Sequence, residues 1–195
     1  MKTYPPTIEK EHVAILPTCT RTGRIVVVDR YDDVCAAIGD LRRCAAIGFD
    51  TESKPAFQRG ASNSIALLQL STPDTAYLFR LKHIGAHEGL KAILEDEDIA
   101  KIGLSVHDDF HSLNEWMECY PRHFIELQKY VGAYGIEEMS LQKIYAIIFR
   151  QKMSKRQRLS NWDADTLTEA QQLYAAIDAW ACLDIYYRLK QDSRE

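Results

Sequence analysis

Apolar and polar positions along this chain switch between two periods. Ile25-Val26-Val27-Val28, following Arg24, is a β-branched run and predicts a strand. Asp32 and Asp33 open a predicted helix that runs through Leu41. The apolar residues Ala45, Ala46 and Ile47 close on Gly48-Phe49-Asp50-Thr51-Glu52, and Ile47 to Glu52 reads as a second strand. Two more apolar segments, Ile65 to Leu70 and Thr75 to Phe79, flank the turn sequence Ser71-Thr72-Pro73-Asp74. They predict a hairpin, and so at least one antiparallel pair. A helix is expected over Gly85–Glu95, strands over Lys101–Ser105 and His123–Leu127, and further helices after them. Thr168 and Gln171 are spaced to open a late helix as a capping box. A hairpin followed by alternating helices and strands implies an α/β fold, a mixed sheet flanked by helices.

At 195 residues, with 46% hydrophobic and 27% charged positions, the chain fits a single soluble domain with a core of ordinary size. Residues 1–22 read as an N-terminal extension and 23–195 as the domain. The five cysteines (Cys19, Cys35, Cys44, Cys119, Cys182) are odd in number and scattered, which argues against a disulfide framework or a structural zinc site. That usage suits a reducing, cytoplasmic location. The first ten residues carry Pro5, Pro6, Glu9 and Lys10 without an apolar core, so no signal peptide is expected. No apolar run approaches membrane-spanning length, and no membrane association is expected. A formal charge of −4 offers polyanions no global attraction. It leaves room for an enzyme whose acids are gathered in a metal site. The one dense basic cluster is Lys152, Lys155, Arg156 and Arg158.

Three segments carry candidate chemistry. Asp50 and Glu52, two apart on a strand, project from the same face. Paired carboxylates repel, and a divalent cation between them is the usual remedy, although a solvated turn also tolerates this pattern. Tyr174 and Asp178 are four apart, neighbours on one helical face that Ala181 and Ile185 continue. A carboxylate in such an apolar stripe needs a partner, whether the Tyr hydroxyl, a basic group or a metal. His107-Asp108-Asp109-Phe110 lies at a strand-to-helix junction, where open α/β sheets place their sites. One of Asp108 and Asp109 suits the first helical turn, leaving the other for chemistry.

Taken in order, Asp50-Thr51-Glu52, an Asp after a later sheet strand, and Tyr174-Ala175-Ala176-Ile177-Asp178 resemble the DEDD superfamily of 3′–5′ exonucleases, in its tyrosine-containing branch. Aligning Gly103-Leu104-Ser105-Val106 puts the second motif on Asp109, with Asp108 as the alternative. The wording is closest to the group of the Werner syndrome helicase exonuclease domain and ribonuclease D. It shows in Gly48 to Glu52, in Ser160-Asn161-Trp162 ahead of Leu167-Thr168-Glu169, and in Leu173 to Ala179, and covers roughly residues 23–191. Glu126 stands where relatives usually carry Asp. The resemblance implies a ribonuclease H-like fold and two divalent cations, magnesium or manganese, serving an in-line phosphoryl displacement. Asp50 would bridge both ions, Glu52 and Asp178 complete the first, and Asp109 hold the second through water. Tyr174 would orient the attacking water. The implied substrates are nucleic-acid 3′ ends, DNA ahead of RNA, released as 5′-mononucleotides, with a helicase or polymerase partner in trans supplying processivity. Lys152, Lys155, Arg156 and Arg158 are expected to clamp substrate phosphates beside the metals; a solvated loop is the alternative.

Rival readings reuse the same residues. His107 and His111 are spaced like the two histidines of a zincin helix. Asp stands in place of the general base, however, and no third ligand follows clearly. His107-Asp108 also resembles the HD phosphohydrolase pair, but those proteins are all-helical. A catalytically silent nucleic-acid-binding module would be expected to have lost a motif carboxylate, and all four are present with the tyrosine.

Overall fold

The computed structural model describes residues 3–53 and 65–193. In chain order the elements are α1 (Lys10–Ile15), β1 (Arg24–Val28), a 3-10 turn (Tyr31–Asp33), α2 (Val34–Leu41), β2 (Ala46–Ser53), β3 (Ile65–Ser71) and β4 (Thr75–Arg80). There follow α3 (Leu81–Ile84), α4 (Glu88–Glu95), β5 (Ala100–Gly103), α5 (Val106–Trp116), β6 (Phe124–Glu126), α6 (Leu127–Gly132), α7 (Leu141–Phe149) and α8 (Glu169–Asp192). The six strands form one mixed sheet in the order β1-β4-β3-β2-β5-β6. The expected hairpin is β3–β4, and β2 extends it into an antiparallel meander. β1 joins β4 in parallel, while β5 and β6 continue β2 in parallel on the other side. Thr72 closes the hairpin turn, its hydroxyl accepting from the Thr75 N–H at 3.0 Å.

Both faces of the sheet are covered. One carries Ile47, Phe49, Leu68, Leu70 and Phe79 against α2, α4 and α5. The other carries Ala46, Ala100 and Ile102 against α6, α7 and α8. β3 is buried along its whole length, which explains why it reads as a continuous apolar run rather than an alternation. Burying a side chain such as Phe49, which is 0% exposed, contributes about 1.5–3 kcal/mol.

α8 lies on the sheet at close range. A Cβ on Gly48 would overlap the Ala179 carbonyl and the Ser71 hydroxyl, so glycine is required where β2 meets this helix. Ala175, Ala176, Ala179 and Ala181 keep the helix side of that contact equally thin. Among the described residues, no helix is long and apolar enough to cross a membrane.

Several elements differ from expectation. The helix expected over Gly85–Glu95 starts late: Gly85 takes φ +65° just after α3, and α4 begins at Glu88, behind His87, whose Nδ1 accepts from the Gly89 N–H at 2.9 Å. β5 stops at Gly103 and β6 at Glu126, with Leu127 already helical. α1 has no apolar stripe to announce it, and none of its residues is buried. Just ahead of it, Tyr4 and Ile8 do reach the core beside α6 and α7, with the Tyr4 N–H donating to the Tyr134 carbonyl at 3.0 Å.

Candidate active site

Strand alternation divides the first motif between two faces. Gly48, Asp50 and Glu52 face α8, whereas Phe49 and Thr51 face the layer that contains α5. α8 brings Asp178, 5% exposed, to the end of β2. Single carboxylate oxygens of Asp50, Glu52 and Asp178 all lie within 4.8 Å of one another. Among the described residues this is the one set of three or more potential ligands close enough to share an ion.

The start of α8 is built as the sequence predicts. Thr168 is the N-cap, and its hydroxyl accepts from the Gln171 N–H at 3.3 Å while Gln171 Oε1 accepts from the Thr168 N–H at 3.0 Å. Gln171 Nε2 donates in turn to the Asn161 carbonyl at 3.2 Å, tying Ser160-Asn161-Trp162 to the helix. Trp162, 1% exposed, packs against Tyr174 with ring centroids 5.9 Å apart. The Tyr174 hydroxyl hydrogen-bonds to Asp178 one turn further on.

Asp109 arrives from the opposite layer. The Thr51 hydroxyl donates to its carboxylate, so the middle residue of the first motif links the two sides of the centre. Asp108 is exposed and lines a different cavity with Ser105 and Gln128, which assigns the two acids to different places. Ser105, just before α5, takes the left-handed φ of 60° that non-glycine residues seldom adopt. Glu126 holds it there. Its Oε1 accepts from the Ser105 N–H at 3.0 Å and from the Gln128 N–H at 3.1 Å, and its Oε2 accepts from the Val106 N–H at 2.9 Å. One carboxylate therefore caps α5 and α6 together and sets the helix that carries Asp109. The signal for this role is slight: an acid closing a strand whose next residue begins a helix.

The acids work against one another electrostatically. Burial pushes the Asp50 carboxyl well above its ordinary range, and Asp178, Asp109 and Glu52 push it further. Burial followed by Asp178 and Asp109 raises Glu52 to about 8, with Arg158 pulling the other way. Burial takes Asp178 to about 7 despite the Tyr174 hydrogen bond. Burial takes Asp109 to about 7 despite the one from Thr51. Burial and the neighbouring carboxylates also lift Tyr174 far above the ordinary tyrosine value, so its hydroxyl stays protonated and acts as a donor. Clustered hard oxygen donors with excess negative charge fit magnesium or manganese.

This arrangement has a consequence for stability. Each folded-state pKa lies above the usual carboxyl value, so the folded protein binds these protons more tightly than the unfolded chain. The associated stability is complete below the ordinary carboxyl range and is lost as pH rises through about 7 to 8. In EDTA the melting temperature should therefore fall from pH 5 to pH 8, and manganese at pH 8 should recover it. A flat melting profile across that window would contradict the charge repulsion described here.

The centre opens into a cavity of about 360 Å³ whose lining includes Asp50, Glu52, Tyr174 and Asp178 together with Lys155 and Arg158. Leu104, from the segment aligned with the second motif, also lines it, as do Ser140 and Gln142, which no motif marks in the sequence. The basic cluster is divided. Lys152 is turned to the N-terminal segment, its Nζ donating to the Ala14 carbonyl at 2.6 Å and its own carbonyl accepting from the Cys19 N–H at 2.8 Å. Arg156 is exposed and outside the cavity lining. His107 and His111 are exposed on α5, and His111 Nε2 faces Glu115 at 3.3 Å, so the zincin-like spacing gathers no ligand set among the described residues.

Comparison with known proteins agrees with this geometry. A family model described as 3′–5′ exonuclease matches residues 25–193. The mouse bifunctional 3′–5′ exonuclease/ATP-dependent helicase WRN is 32% identical over 149 residues, which cover 73% of this chain and 11% of that protein. The EXO domain of Aedes aegypti Nibbler shares the fold with a TM-score of 0.79 at 24% identity, covering 89% of this chain and 91% of that one. Escherichia coli RNase D does so with a TM-score of 0.78 at 23% identity, covering 89% of this chain and 46% of that one. The chain spans 11%, 26% and 25% of the lengths of the first curated relatives it matches. The matched segment runs from β1 through α8 and so takes in every acid gathered at the end of β2. On that ground, and with its ribonuclease H-like sheet and helices, this chain belongs to the 3′–5′ exonuclease family of the DEDD superfamily.

Proposed function

We propose that this protein hydrolyses the terminal phosphodiester bond at nucleic-acid 3′ ends, releasing 5′-mononucleotides one at a time, with DNA preferred to RNA. The observation that carries this reading is the convergence of Asp50, Glu52 and Asp178 within 4.8 Å, in a cavity that also contains Tyr174. Asp50, Glu52 and Asp178 would hold one magnesium or manganese ion, and Asp50 with Asp109 a second. Bound there, the ions supply charge stabilisation to the attacking and leaving oxygens of an in-line displacement. The water oxygen bonds to phosphorus as the bond to the 3′-oxygen of the preceding nucleotide breaks, and that oxygen leaves as a 3′-hydroxyl. The Tyr174 hydroxyl, held beside Trp162 with its one proton donated to Asp178, would aim that water through its oxygen. The preference for DNA rests on the 32% identity to the exonuclease/helicase of mouse. Escherichia coli RNase D is an exoribonuclease involved in structured RNA processing, and at 23% identity it supports the fold alone. A helicase or polymerase acting in trans would present the strand.

The test uses end-labelled DNA and RNA of one sequence, single-stranded and with recessed 3′ ends, incubated with magnesium or manganese. The expected result is stepwise 5′-mononucleotide release that EDTA abolishes, faster on DNA. Absence of metal-dependent release on every substrate would instead support a silent binding module. Faster release from RNA would reverse the substrate preference alone.

Lys155 and Arg158 line this cavity, where they would hold substrate phosphates. Neutralising both should weaken binding equally across sequences and lower the salt dependence by roughly one unit of slope per lost contact. Neutralising Arg156, outside the cavity, serves as the control. Equal salt slopes for the double variant and the unmodified protein would return Lys155 and Arg158 to a solvated loop.

A further inference from the structure

We propose that Gln69 is a positioning residue for Asp50, its side-chain amide donating to the Asp50 carboxylate once the acidic centre holds divalent cations. Gln69 lies in β3 directly opposite Asp50 on β2, and opposite Leu78 on β4. Directly opposed residues of an antiparallel pair share a face with their Cβ atoms about 4.5–5.5 Å apart. The carboxamide is therefore within reach of the carboxylate across the strand gap. Gln69 is 0% exposed, and neither its amide nitrogen nor its amide oxygen has a hydrogen-bond partner among the described residues.

That orphaned amide is the informative feature. Buried side-chain amides are almost always bonded, and one that is not destabilises the fold. An apolar side chain of the same length would fill the space without that cost. On its own face Gln69 is flanked along β3 by Leu67 and Ser71 and faces Leu78 across β4, so Asp50 is the one carboxylate beside it in the sheet. Asp50 accepts a backbone hydrogen bond from Thr51, which restrains part of its carboxylate and leaves room for a second donor. Ligating carboxylates are commonly oriented by such outer hydrogen bonds, and their loss typically costs about 10–100-fold in metal affinity or activity. The amide is thus kept at a cost to the fold for the sake of the cation-loaded centre.

This inference rests on the reading of the centre as a divalent-cation site, and the experiment separates the two. The variant is Gln69→Met, which keeps length and removes the amide. Three quantities are compared with the unmodified protein: the melting temperature in EDTA, Mn²⁺ affinity by calorimetry at a temperature where both proteins are folded by circular dichroism, and turnover at saturating Mn²⁺. The expected result is an equal or higher melting temperature without metal, with Mn²⁺ affinity or turnover reduced about 10–100-fold. A purely structural amide would lower the melting temperature and leave the affinity and turnover of the folded protein alone, and that outcome overturns the proposal. Affinity and turnover both equal to those of the unmodified protein overturn it as well, while leaving the cation site standing. No Mn²⁺ binding by the unmodified protein removes both inferences.

Discussion

Replacing Asp178 with Asn should reduce mononucleotide release on the order of 10³-fold or more and, in EDTA at pH 8, raise the melting temperature. The first effect follows from the donor set. Asp178 contributes one of the three carboxylate oxygens that lie within 4.8 Å of each other, and the amide that replaces it carries no charge. Cations acting at a phosphoryl centre supply several kcal/mol of transition-state stabilisation, and each 1.36 kcal/mol is about tenfold in rate. The second effect follows from burial. Asp178 is the largest charged contributor to the raised pKa of both Asp50 and Glu52. Removing it relieves the repulsion that the folded protein carries at high pH, and at pH 4, where these groups are protonated in the folded protein, the gain should vanish. Rate measurements with saturating manganese and melting curves at the two pH values check both halves. Full turnover by Asp178→Asn would refute the assignment of the centre, whereas a lower melting temperature at pH 8 would show that the Tyr174 hydrogen bond outweighs the repulsion.

Tyr174→Phe should slow release by about 10²-fold, the range for a positioned proton-handling group, with Mn²⁺ affinity little changed. The phenylalanine ring keeps the packing against Trp162 and deletes only the hydroxyl. Because carboxylates and burial hold that hydroxyl protonated and its one proton goes to Asp178, its oxygen is left to accept from the water it aims, and its own ionisation should leave no mark on the pH–rate profile of the unmodified protein. An unchanged rate in the variant would reduce Tyr174 to a packing residue. A comparable loss of Mn²⁺ affinity would place its contribution in holding Asp178.

Much of this centre is local enough to read from the chain. Asp50 and Glu52 share a face because a strand alternates, and the capping box at Thr168 and Gln171 needs only three residues of spacing. Other parts depend on neighbours distant in the chain. Glu126 caps α5 because β6 pairs with β5 in a register that sets Gly103 against Glu126. Lys152 resembles Lys155 in sequence, yet an N-terminal segment more than a hundred residues away takes up its ammonium group. The late start of the helix expected over Gly85–Glu95 follows the positive φ at Gly85, which an apolar periodicity does not record.

The sequence by itself determined the six strands in order, the β3–β4 hairpin, and the two local pairs, Asp50 with Glu52 and Tyr174 with Asp178. The two pairs follow from repeats of two and of about 3.6 residues, and the hairpin from the turn residues between its strands. Only the tertiary structure decided that these pairs meet, that Asp109 rather than Asp108 joins them through Thr51, and that Gln69 lies unpartnered beside Asp50. The physical reason lies at the contact between β2 and α8. Gly48 and the alanines of the helix allow an approach that larger side chains would prevent, and that approach brings carboxylates far apart in the chain together in spite of their repulsion. Periodicity fixes which face of an element a residue occupies; packing fixes what that face meets.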